Sequence, residues 1–543
     1  MTRMRASGAD YRLRMKTTDA SGSIRERYSH TPTAALLAVL AAVVALSFAS
    51  LDRELRFYDA GAYVVTAKAI ALGLGYRNAN LPAAEPQGLY PPGLPVLLAV
   101  AWRTWPEFPD NLILMRTGTL VLGLLFLVIT RAYFIRTKAL SAWEATGVTT
   151  LVALHPLFLE FTAEVSSEIP YALASIVALY GYVRFNEHGR ARWFCVLVVG
   201  LVFSVLTRTL GVALVGGLVV DALCRRRKRL ALAVASAGSA AIVPWSIWSW
   251  RAKTAYEAYP PEIASNYRGY FANLATTNWL GELHRALWLN ITQFLSAWSS
   301  FVLPWVPVVV AASAVIFVIH PVPPRMLRRR QAHDLYCLAA SAMIVLWPWP
   351  LNARFVLVLS PFLIAYCLEG LNEILRHLDA RPQRPALIVL VVAGAAIAFD
   401  GTRSVEAARV RRDTSLAYEQ FHEATEWIKA NTDPDAVLVT ASDPLYYLFT
   451  DRKTVRLAYP DPFTVYYDRT SPARFSRPEA TLDWFRGIGG CYFIRDRLLG
   501  PLESNFYGGL LDSLQHASSG SMVRLHASRD GSVELFRLER CAK

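Results

Sequence analysis

The strongest constraint on the fold is the alternation of apolar runs and short basic loops between residues 34 and 400. A helix of about 20 apolar residues spans a bilayer, because only a helix or a closed barrel satisfies its own backbone in lipid. Such runs fall at 34–51, 112–131, 145–160, 169–185, 193–206, 210–223, 230–250, 291–319, 334–349, 352–373 and 385–400. They predict an all-α polytopic bundle of about 11 spans. The loops carrying most charge are basic, with Arg136 and Lys138, then Arg190 and Arg192, then Arg225, Arg226, Arg227, Lys228 and Arg229. Arg325, Arg328, Arg329 and Arg330 mark the next, and Arg376, Arg381 and Arg384 the last. With a cytoplasmic N-terminus all of these loops are cytoplasmic, as the positive-inside rule requires. An odd number of spans then puts the C-terminal tail outside. A cleaved signal peptide is the alternative for 34–51; the long basic tail 1–33 and the later spans disfavour it.

This distribution also limits function. A net charge of +14 would suit nucleic acid, but the basic residues cluster in short loops between spans, which excludes that partner. The six cysteines (Cys195, Cys224, Cys337, Cys367, Cys491, Cys541) show no CxxC spacing, and the histidines no HExxH or HxxxH, so zinc and redox motifs are not supported.

Residues 401–543 differ in kind, with short apolar segments between charged turns. Helices are predicted at 415–430, 444–449, 478–486 and 504–517, and strands at 436–440, 454–458, 491–494, 523–527 and 532–538. That pattern predicts a small extracytoplasmic α/β domain. Outside the cytoplasm a Cys491–Cys541 disulfide could persist.

The chemistry concentrates in the first outer loop, 52–111. Asp52, Glu54 and Asp59 crowd a membrane edge, where acids are unfavourable unless solvated, paired or used. Asp52 and Glu54 have Arg53 and Arg56 as partners at hand and are minor candidates. Asp59 begins a helix-like run and shares a face with Tyr63, four residues on. It reads either as a general base or as an N-cap. Tyr90-Pro91-Pro92 is a stiff turn, which either shapes a cavity mouth or merely rigidifies the loop. Glu168, beside Pro170, is either a first-turn acid or a second acid facing Asp59. Arg208 interrupts an apolar stretch and Arg354 falls at an outer membrane edge; both suit an anionic lipid headgroup, or an ion pair with Glu164 or Glu168. His284 and the aromatic loop 251–290 (Tyr256, Tyr259, Tyr267, Tyr270, Phe271) read as ordinary interfacial residues.

Taken in order, several short motifs carry a family resemblance. They are Asp59 with Tyr63, Gly73-Leu74-Gly75-Tyr76, Tyr90-Pro91-Pro92-Gly93, Ser167-Glu168-Ile169-Pro170-Tyr171, Leu206-Thr207-Arg208-Thr209 and Arg354 ahead of Ser360-Pro361. Trp427-Ile428, Asn431-Thr432 and Tyr447 to Arg452 extend the series into the tail. The chain resembles the GT-C superfamily of polytopic glycosyltransferases, in its protein-mannosyltransferase-like and aminoarabinose-transferase-like branch, over about residues 34–500. The resemblance implies an enzyme of a bacterial-type plasma membrane that moves a sugar from a polyprenyl-phosphate donor to a lipid, protein or glycan acceptor on the outer face. It gives Asp59 the role of base and assigns the lipid phosphate to basic residues. In the aminoarabinose-transferase branch a Lys precedes the Pro pair; here Tyr90 stands there, which moves phosphate binding to Arg208 and Arg354. Some members use a divalent metal, for which this sequence offers no clear ligand set. Two other classes compete. A flippase or transporter should show inverted repeats, which are not evident. A glycan-binding envelope protein would not need so many spans.

Overall fold

The computed structural model describes residues 31–49, 54–55, 58–260, 263, 279–301, 330–347, 351, 353–377, 394, 400–402, 405, 416–459, 474–496 and 501–539. Most of the expected spans correspond to helices. Among the described residues, Thr31–Ala49, Leu112–Thr137 and Lys228–Thr254 are long and apolar enough to cross a membrane. Gly93–Thr104, Ala191–Thr207, Gly211–Cys224 and Ala332–Val345 are shorter apolar helices. Most of 302–319 and 385–400, the tail 1–30, and Asp52, Arg53, Arg56, Tyr267, Tyr270, Phe271 and Cys541 lie outside the described residues.

Two expected spans are broken. The run 145–160 divides into Ala142–Leu154 and Pro156–Thr162. Pro156 lacks an N–H and so opens a new helix, and His155 Nδ1 accepts from Leu157 N at 3.2 Å across the junction. The first piece starts on a capping box in which Ser141 and Glu144 satisfy each other's backbone N–H groups. The run 352–373 likewise divides into Arg354–Leu357 and Ser360–His377, with Pro361 in the first turn of the second helix. The short first piece carries Arg354 at its start.

Residues 416–539 combine helices with a five-stranded sheet, β1 (Val437–Thr440), β2 (Lys453–Arg456), β3 (Gly490–Arg495), β4 (Met522–Ala527) and β5 (Glu534–Leu538). The order is β2-β1-β3-β5-β4, with β1 parallel to β2 and β3, and β5 antiparallel to β3 and β4. Leu438 is opposite Thr454 on one side and Tyr492 on the other. The unbroken apolar run Val437-Leu438-Val439 suits β1, an interior strand that is buried along its whole length. β4, with Arg524 and His526, is an edge strand and mostly exposed. Cys491 is disulfide-bonded, whereas Cys195, Cys224, Cys337 and Cys367 are free thiols.

One apolar cluster fixes the first loop to this sheet region. Ala60, Tyr63, Val64 and Ala67 of the Tyr58–Ala71 helix pack with Leu94, Leu98 and Trp102, and with Phe421, Tyr446, Leu448 and Phe449. Gly61 makes the close approach possible, since a Cβ there would stand 3.0 Å from Pro444 Cβ. The helix bearing Asp59 is thus held from the bundle side and from the C-terminal side.

Candidate active site

Asp59 lies in the first turn of Tyr58–Ala71, one residue inside the helix rather than at the cap. Its Oδ1 accepts from the Tyr90 hydroxyl at 2.6 Å, and its Oδ2 from Arg354 Nη1 at 3.0 Å. Arg354 also brings Nε to 3.7 Å from Glu168 Oε1, and Arg208 Nη1 lies 2.6 Å from that same oxygen. Acids and guanidinium groups therefore alternate in the order Asp59, Arg354, Glu168, Arg208. Arg208 Nη1 and the Tyr63 hydroxyl both donate to Ser167 Oγ, at 2.9 and 3.1 Å. The rings of Tyr63 and Tyr90 meet edge to face at 4.9 Å. Phe355 underlies both guanidinium groups, each 5.2 Å from its ring centre. The structure thus brings together six of the residues singled out from sequence: Asp59, Tyr63, Tyr90, Glu168, Arg208 and Arg354.

The local sequence explains how each arrives. The turn at Tyr90 is held by Gln87, whose Oε1 accepts from Leu89 N at 2.9 Å, and by Tyr76, whose hydroxyl donates to Tyr90 O at 2.7 Å. Trp248 Nε1 and Ser249 Oγ clamp the same loop by donating to Gln87 O and Gly88 O, at 2.8 and 2.6 Å. Pro91 and Pro92 end it, and Gly93 opens the next helix against the end of Ala191–Thr207. A Cβ at Gly93 would stand 2.7 Å from Leu206 O and 2.8 Å from Thr207 Oγ1. Arg208 leaves that helix in an extended conformation and reaches back to Glu168.

Exposure separates the two acids. Glu168 is 3% exposed, whereas the Asp59 side chain is 32% exposed. Burial pushes the Asp59 carboxyl up, but Arg354, the Tyr90 hydrogen bond and Arg208 outweigh it and hold it below the usual carboxylate range. Burial, reinforced by Asp59, raises the Tyr63 phenol, which therefore stays protonated as a donor.

Of the two acids expected as ion-pair partners for Arg208 and Arg354, Glu168 takes that place and Glu164 does not. Glu164 belongs to Arg116, which donates to it at 3.1 Å with both side chains buried, and Arg116 also donates to the Glu54 carbonyl. Arg116 was not recognisable as a site residue, since it opens an apolar run. His284 is exposed on Trp279–Ser300, and among the described residues it joins none of these contacts. Among the described residues of this cluster a divalent metal does not fit. Arg354 lies between the two carboxylates, and among the described residues no group of three or more His, Cys, Asp or Glu could hold an ion.

Beside the cluster is a cavity of ≈ 180 Å³. Tyr90 lines it, as do Tyr58 and Thr209, the sequence neighbours of Asp59 and Arg208. Its far wall is C-terminal, formed by Asp443, Arg456 and Tyr459. Tyr256 lines it too, accepting from Asn78 Nδ2 at 2.7 Å.

The sequence matches no protein-family model and no curated protein. The fold does have solved counterparts. ArnT, the aminoarabinose transferase of Cupriavidus metallidurans, solved bound to undecaprenyl phosphate, aligns over 93% of this chain and 98% of its own at 14% identity, with a TM-score of 0.52. Its apo state gives 15% identity and a TM-score of 0.53 over the same shares. The oligosaccharyltransferase of Archaeoglobus fulgidus, solved with a tethered acceptor peptide, aligns over 95% of this chain and 74% of its own at 12% identity, with a TM-score of 0.57. Both are GT-C glycosyltransferases, and the chain has the GT-C fold. At these identities the likeness carries the fold alone.

Proposed function

We propose that the chain is an integral membrane glycosyltransferase. It transfers a sugar from a polyprenyl-phosphate donor to an acceptor hydroxyl on the outer face of the membrane, with inversion at the anomeric carbon. The observation that carries this reading is the alternation of Asp59, Arg354, Glu168 and Arg208 beside a cavity, at the end of a loop next to apolar helices. The undecaprenyl phosphate bound in the ArnT structure supports a polyprenyl carrier.

In this reading the guanidinium groups of Arg208 and Arg354 receive the carrier phosphate. The acceptor oxygen attacks the anomeric carbon, and Asp59 takes its proton. The bond from that carbon to the phosphate oxygen breaks, and its electron pair leaves on the phosphate. Guanidinium donors fixed around that oxygen favour its growing charge. The resting contact between Arg354 and Asp59 gives the sequence an order. While Arg354 donates to Asp59, the carboxylate is a weak base. When the phosphate draws Arg354 away, Asp59 loses the larger of the interactions that hold its pKa down and becomes a better base. Glu168 keeps Arg208 in place and does not touch the reacting atoms.

The N-terminus is cytoplasmic in this account and the 401–543 domain extracytoplasmic, in a plasma membrane of bacterial type. The test is transfer from labelled polyprenyl-phosphate sugars, with the product's anomeric configuration determined. Inversion without a trapped intermediate supports a single displacement. A covalent glycosyl-enzyme during turnover would refute it.

A further inference from the structure

We propose that the cavity between the 78–90 loop and the C-terminal sheet region is the subsite for the donor's sugar. It takes the sugar as an uncharged polyhydroxyl ring, with Asp443 and Arg456 as its recognition pair. This inference rests on the glycosyltransferase reading and adds a specificity site to it.

Two largely buried charged groups stand in the cavity wall. Asp443 is 4% exposed and Arg456 is 9% exposed, and both line the cavity. Asp443 Oδ2 accepts from Asn80 Nδ2 at 2.7 Å. The Asp443 carboxyl also meets the Tyr58 hydroxyl and lies near the Arg456 guanidinium, so the two charges stand in the cavity wall as a compensated pair. Such a wall offers fixed polar groups without net charge, and a hydroxyl, which both donates and accepts, suits it.

The charges narrow the class further. A carboxylate and a guanidinium share the far wall and offset each other, so neither an anion nor a cation is favoured there. The remaining surface is aromatic. Arg456 lies 4.0 Å from the Tyr58 ring centre and 4.5 Å from that of Tyr459, and the two phenols meet at 3.3 Å. Aromatic faces with a few fixed polar groups suit the apolar C–H face and hydroxyl edge of a sugar ring. The position agrees. Tyr90 both lines the cavity and donates to Asp59, which sets the cavity beside the base.

The two polar groups come from one strand-and-helix unit. Asp443 begins the Asp443–Thr450 helix, which packs on the Asp59 helix, and Arg456 ends β2, the edge strand beside β1. The C-terminal region would thereby read the sugar while the bundle holds the carrier.

The experiment uses the full chain in lipid nanodiscs. Displacement of radiolabelled undecaprenyl phosphate is measured with bare undecaprenyl phosphate and with the same lipid carrying glucose, mannose, galactose, arabinose, glucosamine or glucuronic acid. Wild type should bind at least one neutral glycosylated lipid about tenfold more tightly than the bare carrier, a difference of about 1.4 kcal/mol. Asp443→Asn, and independently Arg456→Gln, should abolish that preference, with a melting temperature confirming that each variant is folded. A preference kept in both folded variants would overturn the proposal. So would equal binding of all lipids by wild type, or a preference only for a charged sugar. Binding of the bare carrier, and its loss in Arg354→Ala, reports separately on the glycosyltransferase reading.

Discussion

Glu164→Gln should destabilise the protein severely, although Glu164 is not proposed to touch substrate. Arg116 is 0% exposed and Glu164 is 2% exposed, with Nη2 and Oε2 3.1 Å apart. Breaking a buried ion pair by replacing one member costs about 3–5 kcal/mol. At about 2–4 °C per kcal/mol for larger domains, the melting temperature in detergent should fall by on the order of 10 °C. The effect should reach activity as well. Arg116 donates to the Glu54 carbonyl just ahead of the Asp59 helix, and Glu164 lies four residues before Glu168. The pair therefore ties together the two segments that present the acids. Replacing both residues, as Arg116→Met with Glu164→Met, removes the charges together and should recover most of the stability, because a well-packed apolar pair is often no worse than a buried ion pair. Thermal unfolding of wild type, both single variants and the double variant gives the coupling directly. A single variant that melts within about 1 °C of wild type would refute the reasoning, since the contact between Arg116 and Glu164 would then contribute little.

Three further outcomes are expected. Tyr90→Phe removes the donor to Asp59 Oδ1 and should lower transfer about tenfold with little loss of stability, since Asp59 remains partly solvated. Asp59 works ionised and its pKa is held low, so activity falls as pH drops through that pKa; losing the Tyr90 bond should move this acid limb to higher pH in a pH–rate profile. Asp443 is pushed up to about 6 by burial, against the opposing effect of Arg456. Its protonated form is the one the fold favours, so its stabilisation is full below the unfolded value of 3.8 and is lost as pH rises through about 6. Asp443→Asn should therefore gain on wild type by roughly 2.5 kcal/mol between pH 4 and pH 8 in chemical denaturation. Gly93→Ala should cost most of the activity by forcing the Tyr90 turn away from the Leu206–Arg208 segment, which transfer assays on the folded variant would register.

Much of the site was legible because charge at a membrane edge is expensive. Asp59, Arg208 and Arg354 stood out against apolar surroundings, and the structure gathers them although Arg354 is 295 residues from Asp59. Glu168 is a first-turn acid of its helix, one of its two readings, and it pairs with Arg208, while Arg354 stands between it and Asp59. The strands of the C-terminal region were visible in their short apolar runs, but not their order. Which edge β2 takes depends on packing against the Asp59 helix, and no local pattern records that. Asp443 and Arg456 were illegible for the same reason. In sequence Asp443 stands just ahead of a predicted helix and Arg456 inside a predicted strand. Only the approach of Asn80, 363 residues from Asp443, and of Tyr58 gives them a cavity to face.

The central claim is that Asp59 is the base of a sugar transfer. Its most direct test is Asp59→Asn, which keeps the size of the side chain and its contact with Tyr90 but removes the charge. Sugar transfer from labelled polyprenyl-phosphate donors to membrane extract is compared with wild type, with melting temperature as the control for folding. The account predicts that wild type transfers and that the folded variant falls by at least about a hundredfold, the usual contribution of a general base. Equal transfer by the two proteins would contradict it.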